Sequence, residues 1–519
     1  MQTKDSNKFS NPILPGFYPD PSICRAGEDY YLVTSSFAYY PGLPVFHSRD
    51  LVNWKQIGHA LDRASQLELD GLEQSQGLYA PTIRYNQGTF YIACTNVGKD
   101  GSFIITAQSP EGPWSEPYWL QDAPGIDPSL FFDDDGKAYY MGTNEAPDAK
   151  FFGDNEIWLR ELDTANMQLT GPRYGLWKGA LKNAVWPEGP HIYKVDGYYY
   201  LMIAEGGTDY HHSVCIARSR SILGPYEGYE GNPILTHRHL GRKYPIANVG
   251  HADMVQTHNG EWWMVALASR PYGGYFRNLG RETFLIPVIW EDGWPVVSPQ
   301  SGKVETSYIR PKLPYEKPEE QVCLEHFDGR KLGLIWNFIR TPREDFYSLT
   351  ERQGFLRLKL RPPKISELKN PSFIGRRQQH INFRAGTVME FLPENQNEAA
   401  GILLIQNNNY HIRFECTKSG EDNIIQLVVC SGGKESIIAK KEVNPEHIHM
   451  AVEAHGQDYS FYYGYGNELL ELAADVDGRI LSTDLAGGFV GTYIGMFASS
   501  NGLESKNKAD FDLFEYSGI

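Results

Sequence analysis

Three acids and one histidine stand out by their setting. Asp20 lies in FYPDPS (17–22), Asp127 in GIDPSL (125–130), Glu188 in WPEGPH (186–191) and His251 in VGHADM (249–254). Carboxyl groups gathered in one concavity can do general acid and general base work, one giving a proton while another takes one. A single acid beside proline is ordinarily a turn or capping residue, so residue type alone decides nothing. Phase does. Each motif sits about ten residues before an aromatic, strand-forming stretch, and LYAPTI (78–83) occupies the same phase without an acid.

The stretches that follow these motifs are copies of one pattern. They are GEDYYLVTSS with VFHSRDLVNW (27–54), NQGTFYIACT with FIITAQSPEGPW (86–114), DDGKAYYMGT with EIWLRELD (134–163), VDGYYYLMIA with VCIARSRSILGPY (195–226), and HNGEWWMVAL with RETFLIPVIW (258–290). Strand formers between Gly, Asn and Asp turns, with scarcely an amphipathic helical window, predict antiparallel sheet. Five such units spaced by about 35–60 residues predict a five-bladed β-propeller. The strand that leads each blade lines the central channel, so Asp20, Asp127, Glu188 and His251 should meet in one funnel. Acids placed at one phase in three blades carry a desolvation cost that structure alone does not explain. The tyrosines and tryptophans of the blade strands, such as Tyr30, Tyr31, Tyr199 and Trp263, read as core. The acidic run Asp133, Asp134, Asp135 before Gly136 reads as a hairpin turn rather than a metal site.

Composition narrows the partners. The 519 residues carry 48 Lys+Arg against 64 Asp+Glu, a net charge of −16, which would repel a phosphate backbone, and no basic stripe offsets it. Nucleic acid is therefore excluded. The first twenty residues contain charges and prolines where a secretory signal needs a continuous apolar core, and no apolar run reaches the length of a membrane helix. Cytoplasmic action without a membrane partner is expected. Six cysteines lie far apart with no CxxC pair, which predicts reduced thiols.

The stretch RPKLPYEKPEE has the composition of a linker. It divides the chain into a propeller over 1–312, a linker over 313–321 and a second unit over 322–519. In the last, strands such as RLKLRP, GILLIQ, YHIRFE, IIQLVV, YSFYYG and ADFDLFEY alternate with turns. That pattern predicts a β-sandwich of the concanavalin or jelly-roll kind, making the whole chain all-β.

Taken together, NPILPGFYPDPSI, GIDPSLFFDDDGKAYY, WPEGPHIYK, IAEGGT, NVGHADMV and LGRETFL, in this order, resemble glycoside hydrolase family 43, in particular its β-xylosidase and α-L-arabinofuranosidase members. The resemblance implies hydrolysis of glycosidic bonds with inversion. By motif position it implies Asp20 as general base, Glu188 as general acid, and Asp127 as the carboxylate that orients the acid and modulates its pKa. It also implies that Arg281, in LGRETFL, reaches the substrate, that Phe37, in SSFAYYPG, shapes the sugar subsite, and that Thr208 and His251 contribute to binding. Tyr79, in LYAPT, stands where many members have Trp. No cofactor is required. In several relatives the equivalent of His251 touches a calcium ion or its water, so His251 is read as either an indirect calcium contact at the propeller axis or a metal-free histidine. The sandwich is implied to send a loop to the pocket and to support a homo-oligomer, dimer or tetramer. The expected activity is exo-acting release of xylose from β-1,4-xylooligosaccharides, alone or jointly with release of arabinose from arabinose-substituted oligosaccharides. A predominantly arabinofuranosidase activity and a non-catalytic sugar-binding propeller stand as alternatives.

Overall fold

The structure is a computed structural model that describes residues 7–181, 185–319, 323–466 and 468–519. Its first part is five antiparallel blades round one axis. Blade one runs Ser22–Ala26, Asp29–Val33, Gly42–Ser48, Lys55–Leu61 from the axis outward. The innermost strands of the other four are Thr82–Asn86, Ile126–Phe132, Glu188–Val195 and Ala247–Gln256. Asp20 stands two residues before Ser22–Ala26, Asp127 and Glu188 lie at the starts of the third and fourth inner strands, and His251 lies midway along the fifth. Gly136 closes the expected hairpin turn by donating its N–H to the Asp133 carbonyl (3.1 Å).

Blades adhere through the aromatics of their strands. Tyr91, Tyr140 and Trp158 share one interblade core, and Tyr30 and Trp263 share another. The ring is fastened by chain ends: Lys8–Ser10 pairs antiparallel with Ser307–Ile309. Beside that pair, the Asn11 side chain donates to the Leu285 carbonyl and accepts from the Leu285 N–H, both at 2.9 Å.

The second part packs two antiparallel sheets face to face. One contains Phe383–Glu390, Ile448–His455, Asp458–Tyr465, Glu468–Asp477 and Lys508–Gly518; the other contains Ser372–Arg377, Ala399–Asn407, Tyr410–Ser419, Asp422–Ser431, Lys434–Glu442 and Tyr493–Ser499. Alternate burial along these strands places Phe414, Ile425 and Phe461 between the sheets. The linker expected at 313–321 lies partly outside the described residues. Its described part is held to blade one, since Glu316 accepts from the Arg49 N–H (2.8 Å) and its carbonyl from the Asn53 amide (2.9 Å).

The sandwich is fused to the propeller by a shared apolar core. Tyr39 lies flat on Tyr493, ring centres 3.8 Å apart, and Phe17 and Phe37 pack with Phe373 and Leu403. A short strand, Phe338–Ile339, also pairs with Tyr39–Tyr40. The cysteines are all unbridged, and only Cys323 is exposed.

Candidate active site

Blade geometry turns the acids inward through local irregularity. Between Ile126 and Ser129, and again between Glu188 and His191, the pairing with the next strand slips, and in blade five it slips on both sides of Gly250. Such bulges re-aim a side chain out of the pleat. Asp20, Asp127 and His251 all hold left-handed backbone, with φ of 53°, 54° and 40°. That conformation is uncommon for residues with a Cβ and is kept where the surroundings enforce it. In blade four the irregular role passes to Gly189, at φ 57°, where a Cβ would come within 2.9 Å of the His251 ring. Glycine is therefore needed next to Glu188.

Asp20, Asp127, Glu188 and His251 line one cavity of about 520 Å³. Phe37, Tyr79, Thr208 and Arg281 line it too, so every expected site residue is brought together. Asp20 accepts from the Ser35 hydroxyl and from Arg281 Nη1 (2.8 Å). The same Nη1 donates to Thr208 Oγ1 (3.1 Å), and Nη2 to the Phe489 carbonyl (3.4 Å). The guanidinium lies 5.5 Å from the Phe37 ring centre and 5.7 Å from that of Phe489. Tyr79 joins this wall, 5.1 Å from Phe37, with its hydroxyl donating to the Ser75 carbonyl (3.0 Å).

Arg281 acts on the other two acids only at longer range. Burial raises the Asp127 carboxyl to about 6, and Asp20 adds to the rise, against opposing pulls from His251, the Gly189 N–H and Arg281. Burial likewise lifts Glu188 well above the ordinary carboxyl range, with Asp127 and then Asp20 reinforcing the effect. One cavity thus contains an acid paired with arginine and another disposed to hold its proton, which is the separation that acid–base catalysis needs.

Several lining residues escaped the sequence reading. Phe489 comes from the sandwich, where its N–H donates to Ser75 Oγ (2.8 Å). Arg277 binds Asp484 of the sandwich through its backbone N–H (2.7 Å) and Nη2 (2.8 Å), and Asp209 of blade four through Nη1 (3.0 Å). No local pattern marks these, because each depends on contact between distant parts of the chain. Trp186 also lines the cavity, and its place in WPEGP was a signal available beforehand.

His251 does not fit as a direct calcium ligand. The ion takes about six to eight oxygens, whereas His251 offers nitrogen and has one carboxylate near it, Asp127 Oδ2 at 3.9 Å. Among the described residues the one set of three or more His, Cys, Asp and Glu groups close enough to share an ion is His411, Cys430 and Glu435 in the sandwich. No step below involves a metal.

A propeller funnel with buried, unlike carboxyl groups is the site of a glycosidase. Comparison with known proteins agrees: the chain belongs to glycosyl hydrolases family 43, whose family model matches residues 9–295. The beta xylosidase C-terminal concanavalin A-like domain matches residues 324–517. A xylosidase/arabinosidase of Butyrivibrio fibrisolvens is 49% identical over 511 residues, covering 97% of this chain and 98% of that protein. A non-reducing end alpha-L-arabinofuranosidase of Bacteroides ovatus is 41% identical over 520 residues, covering 98% and 94%. The crystal structure of a xylan beta-1,4-xylosidase from Bacillus halodurans superposes with a TM-score of 0.93 at 35% identity, over 98% of this chain and all of that one. The enzyme hydrolyses glycosidic bonds in a five-bladed propeller backed by a concanavalin-like sandwich.

Proposed function

We propose that the enzyme removes single sugars from chain ends, releasing xylose from β-1,4-xylooligosaccharides and α-L-arabinofuranose from substituted ones, with inversion at the anomeric carbon. The observation that carries this reading is the unlike environment of two acids in one cavity: Asp20 bound to Arg281, and Glu188 buried with its carboxyl raised. Relatives named for xylosidase, arabinosidase and arabinofuranosidase activities support the pair of sugars.

In this reading Asp20 takes a proton from water as the water attacks the anomeric carbon, and Glu188 gives its proton to the departing glycosidic oxygen. Inversion requires the two groups to stand about 6.5–9.5 Å apart with water between them. Asp127 keeps Glu188 protonated by like-charge repulsion. Arg281 and Thr208 supply donors and an acceptor to sugar hydroxyls, while Phe37 and Tyr79 offer apolar faces to ring C–H groups. Exo action is supported by the small cavity of about 520 Å³, one wall of which is Phe489 of the sandwich.

The test is hydrolysis of aryl β-xyloside and aryl α-L-arabinofuranoside by wild type, Asp20→Ala and Glu188→Ala, following the product anomer by NMR. Turnover of both by wild type with initial inversion, and loss in both variants, is the expected result. Retention overturns the mechanism. Failure of wild type to hydrolyse either substrate overturns the sugar assignment.

A further inference from the structure

Beside Glu188 the cavity has a wall that none of the acid–base chemistry uses. Trp186 stands two residues before Glu188 and lines the same cavity. Its backbone is left-handed, φ 50°, and its N–H donates to the Gly153 carbonyl (2.8 Å). A Cβ on Gly207 would lie 2.6 Å from the indole, so the ring occupies a slot that only glycine leaves open. Trp186 is therefore held in one orientation beside the group that meets the leaving oxygen.

Beyond it stands Phe152. The two rings meet edge to face, centres 5.7 Å apart and planes at 89°. Phe152 does not line the cavity and is 83% exposed, the most exposed of the large apolar side chains among the described residues. Its loop is nonetheless well bonded. Ala146 N–H donates to the Asp154 carbonyl (2.9 Å), Lys150 N–H to Asp154 Oδ2 (2.8 Å), and Asp154 N–H to the Phe151 carbonyl (3.1 Å). Lys178 also pairs with Asp148. A fixed loop thus presents a bare aromatic face to solvent, continuous with the catalytic cavity through Trp186.

We propose that Trp186 and Phe152 are consecutive stacking positions for the first and second sugars on the leaving side of the scissile bond. The occupant is neutral: a xylosyl chain whose C–H faces lie against aromatic rings, with its hydroxyls in water. This rests on the glycosidase reading above and adds a length preference to it. Substrates with two sugars beyond the scissile bond gain a contact that a disaccharide cannot make.

The test compares kcat/KM for xylobiose, xylotriose and xylotetraose in wild type, Phe152→Ala and Phe152→Trp, with thermal melting to confirm folding. Wild type should rise about 3- to 10-fold from xylobiose to xylotriose, in keeping with one added aromatic contact, and then level off. Phe152→Ala should bring that ratio close to one, and Phe152→Trp should restore it. No rise in wild type, or the same rise in folded Phe152→Ala, would overturn the proposal while leaving the glycosidase reading intact. Absence of hydrolysis of all three sugars would instead overturn the function on which it rests.

Discussion

The inner strands of the propeller carry two buried polar clusters, and they behave oppositely. At the strand starts, Asp127 is pushed up by burial and by Asp20, and Glu188 by burial, Asp127 and Asp20. A few residues further along the same strands, Asp253 is wholly buried and surrounded by donors: Ser22 Oγ (2.7 Å), Arg84 Nη1 (2.8 Å), Tyr193 Oη (2.7 Å), and the Ile23 N–H (3.1 Å). Burial by itself would raise Asp253, but the Arg84 guanidinium and these hydrogen bonds overcome it and hold the carboxyl far below the ordinary range. His191 completes the cluster; burial depresses it to about 3, so the neutral ring accepts from Arg84 Nη2 (2.8 Å) through Nδ1. Every blade contributes, with Ser129 supplying blade three. Depth alone does not separate catalytic from structural acids. Pairing separates the protonated acids from the ionised ones: Asp253 and Asp20 each face an arginine, while the unpaired Glu188 keeps its proton for chemistry.

The sharpest way to break this contrast is to remove one acid from the upper cluster. Glu188→Ala and Asp20→Ala should each lower kcat on xylobiose by about 10²–10⁴-fold, Glu188→Ala with the melting temperature held or raised and Asp20→Ala with a lower one, because it strands the buried Arg281 charge. A fall in the melting temperature of Glu188→Ala matching its lost activity would make Glu188 structural after all. In the lower cluster the order reverses. Arg84→Met strands the Asp253 charge and should cost about 3–5 kcal/mol of stability, read by denaturant or thermal unfolding, whereas an unchanged midpoint would show that Asp253 does not depend on the pair.

Asp127→Asn tests the intermediate case. Asp127 ionises near 6 when folded against an ordinary 3.8. Protonated in both states below about 4, it then carries no penalty; between 4 and 6 the folded state loses stability, and above 6 the loss is complete. The substitution should therefore raise the melting temperature above pH 6 and leave it unchanged below pH 4. It should also move the basic limb of kcat/KM to lower pH, because one charge that holds up Glu188 is gone. A limb left in place would end the modulating role of Asp127. The smallest expected effect is that of Phe489→Ala, which opens one wall of the cavity and should raise KM about 2- to 10-fold with kcat little altered.

Much of this was legible in the chain. The aromatic repeats announce five blades, and the common phase of Asp20, Asp127, Glu188 and His251 announces their convergence because inner strands share one axis. Phe37, Tyr79, Thr208 and Arg281, named from resemblance, lie in the same cavity. What stayed hidden depends on tertiary meeting rather than local pattern. Asp253 looks like one more acid in VGHADM until Arg84, 169 positions away, is seen against it. Arg277 gives no sign of Asp484, 207 positions on.

The central claim is best tested by following the side-chain carboxyl carbons of ¹³C-labelled Asp and Glu through a pH titration by NMR, with Glu188→Gln, Asp127→Asn and Asp253→Asn assigning the signals. The account predicts that Glu188 keeps its proton well above the range where exposed carboxyls lose theirs, that Asp127 titrates near 6, and that Asp253 stays ionised to the acid limit of the folded protein. Titration of Glu188 together with the exposed carboxyls near pH 4 would contradict it.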